Sequence, residues 1–102
     1  MSTKKSTVKK YLESLIDSEL TFSGYLKAIR EGEEMTQVEF ANLLGISKSH
    51  LCDIEKDRKN VSPERAYEFA QVLGYSEKQF VQLSLQKTLD DSGINLTVEV
   101  AS

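Results

Sequence analysis

Residues 36–55 read TQVEFANLLGISKSHLCDIE, a stretch accounted for by two short helices joined by one tight turn. Phe40, Ala41 and Leu44 share one face of the first helix, and Leu51 and Ile54 one face of the second, at helical spacing. Neither helix can bury such a stripe alone, so the two must pack together. Gly45 stands where the chain turns sharply, and Ile46 follows it as an apolar plug. A small residue where two helices approach, a glycine free to take positive φ and a buried aliphatic after it are what a helix-turn-helix unit requires.

Working outward, Thr36 with Glu39 three residues on forms a capping box that starts the first of these helices. Ser47 caps the second, with His50 in place of the usual Glu, and that helix fades at Lys56–Asp57 into a polar loop that runs to Val61. Upstream, a helix begins near Thr21 or Ser23, carries Phe22, Leu26 and Ile29 on one stripe and ends at Gly32. Downstream, Ser62-Pro63 restarts helix, because serine caps it and proline is tolerated in the first helical position. Ala66, Phe69, Ala70 and Leu73 form the buried stripe there, and Gly74 stops it. Ser76 with Gln79 makes another capping box, opening a helix that Asp90-Asp91-Ser92-Gly93 ends. Its Phe80, Val81, Leu83, Leu85 and Leu89 spread around the axis, which predicts burial on two sides, one against the core and one against a second chain.

Both ends extend this core. Residues 1–6 read as a tail, and Val8, Leu12, Leu15 and Ile16 predict an amphipathic helix over Thr7 to Asp17. It packs on the domain, contacts a partner or orders only on binding; the residues leave these open. At the other end Ile94, Leu96, Val98 and Val100 alternate with Asn95, Thr97 and Glu99, the pattern of a half-buried strand. A lone strand leaves backbone groups unpaired. It calls for its copy in a dimer, a heterologous partner or simple edge packing, and the expected dimer interface is Leu85, Leu89, Ile94, Leu96, Val98 and Val100. The expected organisation is a basic tail and helix over 1–20, a helix-turn-helix domain over 21–90 and a dimerisation strand over 91–102.

With 28% charged and 39% hydrophobic residues among 102, the chain has the composition of one ordinary soluble domain. Its apolar runs fall short of the roughly 18 residues of a membrane span. The N-terminal lysines precede no apolar segment of signal-peptide type, and Cys52, the one cysteine, offers neither an intrachain disulfide nor a metal-ligand set. A cytoplasmic setting, with no metal and no cofactor, is expected. The net charge is −3: four lysines stand against Glu13, Asp17 and Glu19 in residues 1–20, while the remainder is acidic. Nucleic-acid affinity comes largely from phosphate neutralisation, so binding requires cations clustered on one face or two subunits acting together.

The second helix of residues 36–55 turns Lys48, Ser49, His50, Cys52 and Asp53 away from the core. Lys48 and Ser49 lie in its first turn, the part that enters a DNA major groove. Lysine donates to guanine O6 or N7, serine bonds any base edge, and Asp53 either accepts from cytosine N4 or stands as a solvated side chain. His50 has no triad or metal partner nearby and reads as a groove-edge or surface residue. Gln37 opens the first helix, where its amide and exposed backbone N–H groups can hold a phosphate. Lys56, Arg58 and Lys59 grip the backbone on the other side or form only a solvated loop. No paired carboxylates, activated nucleophile or phosphate loop point to an enzyme.

Thr36-Gln37, Ala41, Gly45, Ile46-Ser47, Leu51, Ile54-Glu55 and a Ser-Pro after a short polar loop together resemble the helix-turn-helix domain of phage-repressor/Cro-type regulators. The likeness covers roughly Phe22 to Tyr75. It implies an all-α, compact five-helix lambda-repressor-like domain, a homodimer and double-stranded operator DNA with two half-sites. The residues matching Gln37, Lys48, Ser49 and Asp53 contact DNA in that family; Ser47, His50, Lys56, Arg58 and Lys59 complete the expected surface from their position. This chain departs from the pattern in carrying Asp53 and an acidic balance. A small acidic regulator without a ligand domain also resembles the antitoxins of toxin–antitoxin pairs, which bind a toxin protein and repress their own operon.

Overall fold

A computed structural model describes residues 20–101. Five α-helices occupy them: α1 (Phe22–Gly32), α2 (Gln37–Leu44), α3 (Lys48–Glu55), α4 (Pro63–Leu73) and α5 (Glu77–Asp91). The expected helix over Thr7 to Asp17 lies outside the described residues. Each helix begins where a hydroxyl satisfies an orphan donor of the first turn. Thr21, Thr36, Ser47, Ser62 and Ser76 accept from the backbone N–H groups of Gly24, Glu39, His50, Arg65 and Gln79 at 3.0–3.2 Å. The reciprocal half of the capping box forms at Thr36, whose N–H donates to Glu39 Oε1 at 2.8 Å. At Ser76 the cap is the serine hydroxyl.

All five helices close on one pattern, a backbone N–H reaching back five residues to a carbonyl in the last turn. The bonds run from Met35 to Arg30, Ile46 to Ala41, Arg58 to Asp53, Tyr75 to Ala70 and Ile94 to Leu89, at 2.8–3.1 Å. Helix α1 stops at Gly32 as expected, yet the left-handed residue that completes its closure is Glu34, at φ 58°. Asp57 does the same after α3, at φ 63°.

The chain divides into two compact units, one up to Arg58 and one from Lys59 onward. In the first, α1 and α2 both pack against α3. Its core holds Phe22, Tyr25, Leu26 and Ile29 from α1, Phe40, Ala41 and Leu44 from α2, and Leu51 and Ile54 from α3. In the second unit α4 packs along α5. Ala66, Phe69, Ala70 and Leu73 are buried there with Val61, Tyr75, Phe80 and Leu83. Buried Ser84 donates its hydroxyl to the Val61 carbonyl at 2.6 Å, which removes the cost of placing a polar side chain on the inner face of α5. Val81, Leu85 and Leu89 are half-buried on the other sides of that helix.

The expected C-terminal strand does not form: residues 94–101 carry no β-structure, and no strand exists among the described residues. A ladder needs a second backbone, and among the described residues none pairs with this segment. A side chain takes part of that role. Gln86 donates from Nε2 to the Leu96 carbonyl and accepts on Oε1 from the Val98 N–H, both at 2.8 Å. With Ile94 bonded to the end of α5, the segment therefore runs back along that helix. Its alternating side chains do not share one buried face. Val98 and Val100 are half-buried, whereas Ile94 and Leu96 are exposed.

Candidate nucleic-acid interface

The first unit carries most of the residues singled out for DNA contact. Gly45 at φ 75° lets α2 and α3 meet, and Ile46, half-buried, closes the turn through its bond to Ala41. Leu51 and Ile54 fix the inner side of α3, which turns the opposite side outward. Lys48 and Ser49 are exposed in the first turn of α3, with Lys56 exposed at its C-cap. His50, Cys52 and Asp53 are half-buried. Ser47 precedes the helix and spends its oxygen as the cap acceptor for His50.

Asp53 and Arg58 form an ion pair of 3.8 Å. Both are partly open to water, so the pair adds little stability, but it offsets the carboxylate on the outward face of α3. Lys59 is exposed and belongs to the second unit. Among the described residues no group of three His, Cys, Asp or Glu side chains could hold a metal ion, and no helix is long and apolar enough to cross a membrane.

The least expected feature lies behind this face. Glu55, the last residue of α3, follows Leu51 by four and Ile54 by one, so its carboxylate falls on the inner side, with only 3% of the side chain exposed. Arg30 of α1 meets it with a two-pronged bond, Nε to Oε2 at 2.7 Å and a terminal nitrogen to Oε1 at 3.1 Å. The other terminal nitrogen of Arg30 donates to the Met35 carbonyl at 3.1 Å. These bonds to Glu55 push the Arg30 guanidinium further into its charged range. Gln37, the first residue of α2, then donates from Nε2 to Glu55 Oε1 at 3.0 Å. One carboxylate thus ties together α1, α2 and α3.

The sequence places Gln37 at the start of α2 with its amide toward a phosphate, but it names no partner for that amide within the chain and no role for Arg30. The signal lay in the spacing: Glu55 continues the Leu51–Ile54 stripe, and Arg30 follows Leu26 by four on the buried stripe of α1. A charge on an inner stripe requires an opposite charge facing it.

A helix-turn-helix family model matches residues 26–80, from the middle of α1 into α5. An immunity repressor protein of Bacillus phage phi105 is 40% identical over 55 residues, 54% of this chain. The aligned stretch spans 38% of that repressor's own length. No solved structure matches the chain. With the family match covering the α2–Gly45–α3 unit and more than half of the sequence, the chain belongs to the helix-turn-helix family of phage-repressor/Cro-type regulators.

Proposed function

We propose that the protein is a dimeric, sequence-specific DNA-binding repressor that lays α3, with its flanking caps Ser47 and Lys56, in the major groove. The observation that carries this reading is the two-sidedness of α3: Leu51 and Ile54 are locked inward while Lys48 and Ser49 stand exposed in its first turn. Lys48 donates to guanine, Ser49 bonds a base edge and His50 and Asp53 line the groove edge. Gln37 holds a phosphate at the start of α2, and Lys56, Arg58 and Lys59 engage the backbone on the other side. The phage immunity repressor supports the repressor role by its name and its 40% identity over this span.

A net charge of −3 argues that one copy binds weakly and that two act together. Leu85 and Leu89 on α5, with Ile94, Leu96, Val98 and Val100 beside it, form the proposed dimer face. The exposure of Ile94 and Leu96, at 44% and 64%, supports an interface role for that face. The groove contact is tested by Lys48→Ala, measured against a duplex selected by the purified chain. Specific binding should weaken by about 1–3 kcal/mol. An unchanged affinity at fixed salt would sink the assignment.

A further inference from the structure

We infer that Asp53 determines base specificity on α3 by accepting from the N4 amine of one cytosine, and that Arg58, its counter-ion in the free chain, passes to a phosphate when that bond forms. The inference rests on the DNA-binding reading above and deepens it.

Helix α3 carries two carboxylates, Asp53 and Glu55, and Glu55 is turned inward, 3% exposed. Asp53 follows Ser49 by four and precedes Lys56 by three, so these side chains share the outward stripe. A groove walled by phosphates repels a carboxylate, and one that finds no donor there also loses its water. Asp53 therefore lowers affinity for most sequences, and the loss is offset only where a base supplies N–H. Cytosine presents the N4 amine alone in the major groove, whereas adenine sets its acceptor N7 beside the N6 amine and repels a carboxylate. Asp53 excludes more sequences than it attracts, and discrimination is the difference between the two.

The counter-ion is placed to exchange. The Arg58 N–H donates to the Asp53 carbonyl at 2.8 Å, closing α3 through the left-handed Asp57 at φ 63°. That bond keeps the Arg58 backbone beside Asp53 whatever its side chain does. The contact between the side chains is looser: 3.8 Å, with Asp53 33% and Arg58 66% exposed. So open an ion pair gives way readily to a phosphate, which a guanidinium bonds at two points. On a matched duplex the cytosine amine takes the carboxylate and Arg58 gains a phosphate. On a mismatched duplex Arg58 stays to neutralise Asp53, and that phosphate contact is forgone.

The test compares a duplex enriched from a random-sequence pool by the purified full chain with duplexes carrying each single base-pair replacement, over a range of salt. The native chain should show a position where replacing a C·G pair lowers affinity about tenfold or more. In Asp53→Ala that preference should fall below about twofold; in Asp53→Asn it should move to adenine, which an amide bonds at N6 and N7. For Arg58 the readout is salt. The slope of log affinity against log salt should be steeper by about one on the matched duplex than on the one with that pair replaced. Arg58→Lys should keep this difference and Arg58→Met abolish it. If Asp53→Ala changes affinity by the same factor on every duplex, Asp53 is a solvated side chain and the inference is overturned. Equal salt slopes on matched and mismatched duplexes in the native chain overturn the transfer of Arg58. Absence of any enriched duplex overturns the DNA-binding reading instead, so the failures are distinct.

Discussion

Glu55 concentrates much of the physics of this chain in one side chain. Its side chain is 3% exposed, with Arg30 and Gln37 bonded to its carboxylate, and an unpaired charge buried there would be untenable. Such a pair contributes little compared with an apolar replacement of both partners, yet breaking it from one side strands the other charge. Glu55→Ala should therefore destabilise the fold by about 3 kcal/mol, read as a lower midpoint in urea unfolding. A loss below about 1 kcal/mol would mean that Arg30 finds water or another acceptor. At this scale the outward residues were legible from the sequence, because the helical period alone separates Lys48 and Ser49 from Leu51 and Ile54. The network behind them was not read, although its spacing was present. A residue carrying charge on an inner stripe announces a partner without saying which one, and Arg30 precedes Glu55 by 25 residues.

Helix starts and helix ends were unequally legible. All five starts follow from a Thr or Ser hydroxyl bonded three residues on, a purely local arrangement that sequence states directly. Ends depend on which residue accepts the left-handed conformation, and glycine marks three of the five. Glu34 and Asp57 take that conformation without being glycine, held by the backbone bonds of Met35 to Arg30 and Arg58 to Asp53. The turn between α2 and α3 demands glycine for conformation alone, since a Cβ added to Gly45 meets nothing within 4 Å. Gly45→Ala should then cost about 1–2 kcal/mol, seen as a lower thermal midpoint with the helical content retained below it. An unchanged midpoint would show that the φ of 75° is not needed to join the helices. The tail departs from the expected strand for a related reason. Alternation states which faces a segment offers, but pairing partners decide whether it becomes a strand, and here the Gln86 amide bonds it instead.

For the molecule as a whole, charge sets the constraint. A chain of net charge −3 cannot rely on phosphate attraction in bulk, and its cations on α3 are few. The family relation accounts for the α2–Gly45–α3 unit, while the proposed dimer supplies the second recognition helix that such a charge balance requires. Two copies related by a two-fold axis would read a site with matching symmetry. Selection of duplexes from a random-sequence pool by the purified chain tests this most directly. Two inverted half-sites with centres about one helical turn, ~34–36 Å, apart are the predicted result. Enrichment of a single unrepeated half-site, or of no sequence at all, would contradict it.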